Sequence, residues 1–141
     1  MNDEKIVPRT EAGLLKWSFL ALSGGVLYYG LEVLYRGYSH WSMALCGSLG
    51  LCGIYLLNQR LPRLSLPFRA LLISLGITLM ELVAGGILNL WLGWGIWDYS
   101  SLPYSFAGQI CLPFSVLWFL LAFPACLLCK LIQRHVFLED A

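Results

Sequence analysis

The chain has 141 residues, of which 59% are hydrophobic and 12% charged, and its mean hydropathy is +0.73. A soluble domain carries about 25% charged residues, so this composition excludes an ordinary soluble protein and indicates an integral membrane protein of one domain. The formal net charge is only +1, and the few basic residues fall mainly in short loops, which excludes nucleic-acid recognition.

Four long apolar runs predict an all-α polytopic membrane protein, built as a bundle of four transmembrane helices. Each run can cross the roughly 30 Å of hydrocarbon, because that takes about 20 helical residues. The first run is too long for the apolar core of a signal peptide, so we interpret it as a span. The predicted parts are an N-terminal segment 1–13, a membrane domain 14–130 with spans at about 14–35, 41–57, 70–94 and 106–128, and a tail 131–141.

The basic residues are distributed unequally between the two sides of the predicted membrane domain. With four spans, both termini and the 58–69 loop share one side, and the opposite side holds Arg36 as its single Lys or Arg. By the positive-inside rule both termini are cytoplasmic (N-in/C-in), which fits a multi-pass protein of the cell (plasma) membrane. The eight basic residues on the predicted inner side are Lys5, Arg9, Lys16, Arg60, Arg63, Arg69, Lys130 and Arg134.

Strongly polar residues concentrate between Glu81 and Gln109. Glu81 and Asn89 lie inside the third apolar run, Asp98 and Tyr99 lie in the turn after it, and Gln109 lies in the fourth run. Polar groups in lipid are costly and need partners, so they are candidates for a functional site. Asp98 has a second interpretation, because Asp and Ser in a turn bond their own backbone.

Glu81 is the deepest of these residues. It follows Arg69 by twelve residues, which is about 18 Å along a helix and near the bilayer midplane. Glu81, Gly85 and Asn89 form a polar and small stripe of the kind that faces other helices. Glu81 either pairs with a group of another helix or stays protonated in its apolar surroundings. A midplane carboxyl that exchanges a proton is typical of proton-coupled transporters, and the alternative is a structural interhelical hydrogen bond.

The first predicted hairpin adds Glu32, Arg36 and His40. Glu32 and Arg36 are four residues apart, so one helical turn stacks them in the favourable order for an ion pair. The pair either locks the helix end or binds a substrate. His40 is a proton donor, a metal ligand or a plain interfacial residue; His135 lies on the opposite side, which excludes a histidine-rich metal site.

Prolines and small residues predict how the helices pack. Pro113 and Pro124 interrupt the fourth span, and Pro113 is expected to bend it beside the polar cluster. Ala44, Gly47, Gly50 and Gly53 recur at every third residue of the second span, where small residues allow close helix approach. The five cysteines all lie in apolar runs, so we predict no disulfide framework and interpret Cys126-x-x-Cys129 as packing residues.

Several site chemistries are missing from the sequence. It contains no GxxxxGK[ST] loop, so the chain cannot itself hydrolyse ATP through a P-loop. It contains no GxSxG or HExxH motif. We therefore predict that the protein uses no metal or cofactor. We favour a protein that is not an enzyme over an enzyme.

Three segments carry a family resemblance: LYYGLEVLYRGYSHWSM (27–43), ITLMELVAGGILNLWLGWGIWDYS (77–100) and LPYSFAGQICLPFSVLW (102–118). They resemble a bacterial four-span membrane family known as "putative ABC transporter permease", to which small vertebrate four-span proteins are similar. The departure from the family pattern is Tyr104-Ser105, where an Asn-containing segment is expected. The resemblance covers about residues 14–130 and matches at Glu32, Arg36, Gly37, His40, Glu81, Asn89, Trp97, Asp98, Tyr99, Ser100, Gly108 and Gln109.

The resemblance implies a transporter or permease-type subunit, with a homo-oligomer and a separate ATPase subunit as partners besides membrane lipids. Two rivals stay open: a membrane-embedded enzyme acting on a lipid headgroup, with Glu, His and Asp as acid–base groups, and a non-catalytic membrane scaffold. In the leading hypothesis a polar site in the outer half of the bundle binds substrate or a proton. Its predicted residues are Glu32, Arg36, His40, Glu81, Asn89, Asp98, Tyr99 and Gln109.

Overall fold

A computed structural model describes residues 9–139, with side chains from residue 11 onward. Its helices are α1 (Arg9–Arg36), α2 (Trp41–Arg60), α3 (Leu66–Gly85) and α4 (Leu112–His135). A π-helical segment, Gly86–Trp91, continues α3, and a short hairpin of β1 (Ser105–Phe106) and β2 (Ile110–Cys111) precedes α4. Residues 1–8 of the predicted N-terminal segment and residues 140–141 of the predicted tail lie outside the described residues.

Within residues 9–139, four helical stretches are long and apolar enough to cross a membrane, which confirms the predicted fold class. They run over Glu11–Arg36, Trp41–Arg60, Leu66–Trp91 and Leu112–His135, with lengths of 26, 20, 26 and 24 residues. The protein is therefore a multi-pass membrane protein by length and composition of its helices. The N-in/C-in orientation stays a prediction.

Two prolines begin helices and so shift the ends of the third and fourth spans. The sequence predicted spans from 70 and 106, but α3 begins at Leu66 and α4 at Leu112, each with a proline in its first turn. Proline suits that position because first-turn N–H groups have no intrahelical partner. The bend expected at Pro113 is therefore wrong, since this residue starts α4, while Pro124 does lie inside it.

The chain divides into two compact units after Gly53, and the described residues of these units are 9–53 and 54–139. In the first unit, α1 and the first part of α2 approach closely at Gly24 and Gly47. A Cβ on Gly47 would overlap the Tyr28 side chain and lie 2.6 Å from the Gly24 carbonyl oxygen. The Ser48 hydroxyl donates to the Ala21 carbonyl at 2.6 Å. Small residues thus let the two backbones meet, as membrane helices commonly do.

In the second unit, α3 and α4 pack in opposite directions and bond through hydroxyl groups. The Ser74 hydroxyl donates to the Ser115 carbonyl at 2.6 Å, and Thr78 Oγ1 lies 2.8 Å from Ser115 Oγ. About two helical turns beyond Thr78, Gly85 lies against the side chain of Gln109, which precedes α4. This pairing positions the polar residues that follow.

Candidate functional site

In the first unit, Glu32 is the centre of a small polar cluster. Arg36 Nη2 donates to Glu32 Oε2 at 2.7 Å, and the Ser39 hydroxyl donates to the same oxygen at 3.0 Å. The Tyr28 hydroxyl lies 3.4 Å from the other oxygen, Oε1. The side chains of Arg36 and Glu32 are 21% and 17% exposed, so the ion pair is mostly buried but still reaches the surface. The structure therefore forms the pair that the four-residue spacing predicted.

A left-handed glycine folds the chain back onto this ion pair. Gly37 has φ +81°, and its N–H donates to the Val33 carbonyl at 2.8 Å, which ends α1. The turn brings Ser39 to Glu32, and it places the Tyr38 ring 4.9 Å from the Arg36 guanidinium carbon. Each of these contacts holds the charges in one arrangement at the end of α1.

His40 caps the start of α2. Its Nδ1 accepts the Ser42 backbone N–H at 3.2 Å and lies 2.7 Å from the Ser42 hydroxyl. Accepting the N–H puts the ring proton of a neutral His40 on Nε2, an assignment that follows from the hydrogen-bond pattern. Such a cap satisfies an N–H that a helix start leaves unpaired. His40 thus has a local structural task at the position where the sequence predicted a site residue.

In the second unit, Glu81 is buried within α3, with 7% of its surface exposed. Its Oε1 accepts a hydrogen bond from the Tyr99 hydroxyl at 3.2 Å. The Tyr99 ring stacks on Phe114 of α4, with centroids 4.6 Å apart and planes 12° apart. A buried span carboxyl is therefore joined to the segment 92–111, which connects the π-helical segment to α4.

The π-helical segment places Asn89 where its amide can bond in two directions. The Leu92 N–H donates to the Ile87 carbonyl, five residues back, which is the bond that widens a helix in this way. Asn89 Oδ1 accepts the Ile96 N–H at 2.7 Å, and its Nδ2 donates to Gln109 Oε1 at 2.8 Å. Asn89 therefore ties the end of the third span to both sides of the segment 92–111.

Gln109 completes this amide network and is only 4% exposed. Its side-chain Nε2 donates to the Ala107 backbone carbonyl at 2.9 Å. The backbone carbonyl of Gln109 accepts the Trp97 indole N–H at 3.1 Å. Gly85 leaves room for it, since a Cβ there would overlap the Gln109 side chain. Asn89, Trp97 and Gln109 are called the amide network below.

A tight hairpin turn presents Gln109 to this network. Ala107 and Gly108 both have positive φ, 51° and 70°, and the Gln109 N–H donates to the Phe106 carbonyl. Positive φ at two successive residues turns the chain back within the three residues between Phe106 and Ile110, which pair across the hairpin. Asp98 and Ser100 pack on the turn, since a Cβ on Gly108 would lie 2.7 Å from Asp98 Oδ1 and from Ser100 Oγ.

Asp98 is exposed and engaged in turn chemistry. Its Oδ1 accepts the Ser100 hydroxyl at 2.5 Å and the Ser100 N–H at 2.9 Å. These two bonds, the hydroxyl first, lower the pKa of the Asp98 carboxyl from its ordinary value. The geometry matches the turn interpretation of this residue, and any binding role for Asp98 stays a prediction.

The structure thus joins the predicted residues in separate groups. Glu32 bonds Arg36, Glu81 bonds Tyr99, Asn89 bonds Gln109, and His40 and Asp98 bond residues next to them in the chain. Their assembly into one site across both hairpins stays a prediction. Among the described residues, no group of three or more His, Cys, Asp or Glu side chains could hold a metal ion.

Sequence reasoning did not predict three contributors: Tyr28, Ser39 and the indole of Trp97 as a donor. Tyr28 lies four residues before Glu32, so helical spacing could have found it. Ser39 and Trp97 act through turns whose shapes depend on Gly37 and on the hairpin, and spacing alone does not reveal such contacts.

Comparison with known protein families identifies a family for this chain. Residues 26–139 match the model of a family described as "Putative ABC-transporter type IV". The match begins within α1, extends through the rest of the described helices and includes all the predicted site residues. No match was found among the curated proteins or the solved structures that were compared with the chain.

Proposed function

The chain belongs to the "Putative ABC-transporter type IV" family, and on that premise we propose that it is the membrane-spanning subunit of a transporter in which Glu81 binds a proton or a cationic substrate. The four long apolar helices fit this class of protein. The proposal includes the plasma membrane as its location and cytoplasmic termini, which the charge distribution predicts.

The observation that carries the proposal is the pair of Glu81 and Tyr99. A carboxyl buried in a span is costly, so it is expected where ions or protons pass. Glu81 is 7% exposed, and it accepts a hydrogen bond from the hydroxyl of Tyr99, which lies outside the spans. A hydroxyl can donate to a carboxylate or accept from a carboxylic acid, so Tyr99 suits both protonation states of Glu81.

The Tyr99 contact also supports a gating role for the segment 92–111. Tyr99 is held by its stacking on Phe114 and by its N–H, which donates to the Gly108 carbonyl at 2.8 Å. Withdrawal of this segment would break the bond to Glu81 and open the carboxyl to the adjoining aqueous phase. In this scheme Glu81 binds its proton or cation when the segment withdraws and is closed off when Tyr99 returns.

An ATPase belongs to the proposal as a separate subunit. The family description names an ABC transporter, a class that uses ATP, and this sequence contains no P-loop motif. A homo-oligomer is proposed with it, because four spans are few for a complete translocation path.

A specific observation favours a second function, that of a non-catalytic membrane scaffold. The amide network of Asn89, Trp97 and Gln109 satisfies its own donors and acceptors within the second unit. Closed networks of this kind fix structure and leave few groups for a ligand. In the scaffold reading, Glu81 and Tyr99 would belong to the same structural system.

Proton movement in proteoliposomes separates the two functions. The full chain is reconstituted, a membrane potential is imposed with a potassium gradient and valinomycin, and proton entry is followed with an enclosed pH dye. We expect entry above that of protein-free liposomes, its loss in Glu81→Gln, and its partial retention in Glu81→Asp, which keeps a carboxyl group.

The matched control is Glu139→Gln in the same unit. Glu139 also accepts a hydrogen bond from a tyrosine, Tyr55, at 3.0 Å, but it lies outside the spans. We expect this variant to keep the wild-type rate. Unchanged proton entry in a monodisperse Glu81→Gln protein would contradict the transport proposal, and aggregation of that variant together with wild-type liposomes that do not conduct would favour the scaffold.

A further inference from the structure

A second polar region of the second unit lies where α2 and α4 end and α3 begins. Arg69 Nη1 donates to Asn58 Oδ1 at 3.0 Å, which joins α3 to α2. The Tyr55 hydroxyl donates to Glu139 Oε2 at 3.0 Å, and the Tyr55 and Phe137 rings meet edge to face at 5.9 Å. The first contact closes the 58–69 segment, and Tyr55, in the last turns of α2, joins that helix to residues 137–139. Residues 58–69 and 130–139 are called the basic end.

The basic end carries four exposed cations. Arg60 and Arg63 flank or occupy the five-residue loop between α2 and α3, and Lys130 and Arg134 lie four residues apart on α4. Like charges at that helical spacing repel each other unless an anion lies between them. Among the described residues of the basic end, Glu139 is the one acidic residue, and Asp140 follows it in the sequence. The Glu139 carboxylate accepts a hydrogen bond from the Tyr55 hydroxyl.

The depth of these cations matches the lipid headgroups. Arg60 is nineteen residues from Trp41, the start of α2, which is about 28 Å along the helix. Lys130 is eighteen residues from Leu112, the start of α4, which is about 27 Å. The hydrocarbon core is roughly 30 Å thick, so cations at these positions reach the phosphate layer when the opposite helix ends lie at the other boundary.

Exposed apolar side chains accompany the cations. Leu61, Leu66 and Phe68 are 39%, 38% and 49% exposed beside Arg60 and Arg63. The folded-back C-terminal segment adds Leu138, which is 83% exposed. A surface that combines cations with exposed apolar side chains fits the membrane interface, where a charged headgroup layer lies next to hydrocarbon. A soluble protein partner does not offer that combination.

We propose that the basic end binds the phosphate groups of anionic phospholipids, through Arg60, Arg63, Lys130 and Arg134. Juxtamembrane basic residues are attracted to an anionic leaflet by about 1 kcal/mol each, which is about five-fold in affinity per charge. The site selects an anionic over a zwitterionic headgroup by charge, and a lipid over free phosphate by its acyl chains. It is independent of the proton site at Glu81.

The test uses the full chain in detergent micelles with equal amounts of phosphatidylglycerol and phosphatidylcholine, and counts retained lipids by native mass spectrometry. We expect preferential retention of phosphatidylglycerol, weakened by added salt. The double variant Arg60→Gln with Arg63→Gln should lose about 25-fold in that preference, from two charges at about five-fold each. The matched variant Arg60→Lys with Arg63→Lys keeps the charge and should keep the preference.

Three results would overturn the proposal. Equal retention of the two lipids would leave this surface to a protein partner. An unchanged preference in the glutamine variant would place the lipid elsewhere. Displacement of phosphatidylglycerol by inorganic phosphate at the same concentration would make it a free-anion site. None of these results bears on proton entry through Glu81, so the transport proposal stands or fails separately.

Discussion

The polar residues of the two units find their partners at different distances along the chain. In the first unit, Glu32 is bonded by Tyr28, Arg36 and Ser39, which lie four to seven positions away. In the second unit, Glu81 bonds Tyr99 across 18 positions, and Gln109 bonds Asn89 and Trp97 across 20 and 12. The first arrangement forms with one helical turn and one bend, whereas the second needs the whole segment 92–111 to be folded.

The difference predicts where substitution costs most. The ion pair of Glu32 and Arg36 is partly exposed and close to the end of α1, so water can replace a lost partner. In the amide network Trp97 and Gln109 are buried and Asn89 is half-buried, so loss of the Asn89 amide leaves Gln109 Oε1 and the N–H of the buried Ile96 without a hydrogen bond in apolar surroundings. Substitutions in the second unit should therefore destabilise the protein more than comparable substitutions in the first unit.

Asn89→Ala should have the largest effect on stability. It leaves the Ile96 N–H and Gln109 Oε1 without their bonds, and each unpaired buried group costs about 1–3 kcal/mol. The measurement is the free energy of unfolding in mixed micelles. The comparison is Ser39→Ala in the first unit, where we expect a loss below about 1 kcal/mol; equal losses would remove the contrast between the units.

Gly85→Ala should destabilise the second unit by about 1–3 kcal/mol, as overpacking does. The new methyl group would overlap Gln109, which its hydrogen bonds hold in place. Gly76→Ala on the same helix is the control, because a Cβ there meets nothing within 4 Å. We expect it to be neutral or stabilising by up to about 1 kcal/mol, and a similar loss in both variants would show that the close approach is unimportant.

The ion pair of Glu32 and Arg36 should contribute little. A double-mutant cycle with Glu32→Gln and Arg36→Gln should give a coupling free energy under about 1 kcal/mol, the range for partly exposed pairs. The same micelle unfolding assay measures it. A coupling of several kcal/mol would contradict this prediction and would favour the interpretation of the pair as a lock on the end of α1.

Asp98 should produce the smallest effect, visible only at acid pH. Its folded-state pKa is lowered by the Ser100 hydroxyl and N–H, so its contribution to stability is complete above the unfolded pKa of about 3.9. It is lost as the pH falls through the folded value. An NMR titration of carboxyl-labelled aspartate should show a rise of the Asp98 pKa in Ser100→Ala, and an unchanged pKa would contradict the assigned hydrogen bond.

The sequence predicted the four spans, because about 20 apolar residues in lipid have few alternatives to a helix. It also predicted the pairing of Glu32 with Arg36, since helical spacing fixes that contact. It could not predict the start of α4, where Pro113 reads as an interruption of a longer apolar run until the hairpin before it is known. Burial of Gln109 likewise depends on positive φ at Ala107, which no sequence rule requires of alanine.

The residues of the candidate site divide in the same way. Glu81 stood out because a carboxyl in an apolar run is rare, and that signal needs no knowledge of the fold. The sequence predicts Tyr99 as a site residue because it lies in a polar turn. The contact of Tyr99 with Glu81 instead depends on the stacking of the Tyr99 ring against Phe114. Sequence thus identifies the costly group, and the three-dimensional fold identifies what satisfies it.

If Glu81 is a proton site, as we propose, its carboxyl group must take up and release a proton in the folded protein. The most direct measurement is a pH-induced infrared difference spectrum of the full chain in lipid nanodiscs, compared between wild type and Glu81→Gln. We expect a carboxylic-acid C=O band that changes with pH in the wild type, is absent from Glu81→Gln, and shifts in Tyr99→Phe because one hydrogen bond is lost. Identical spectra for the wild type and a folded Glu81→Gln protein would contradict a proton site at Glu81.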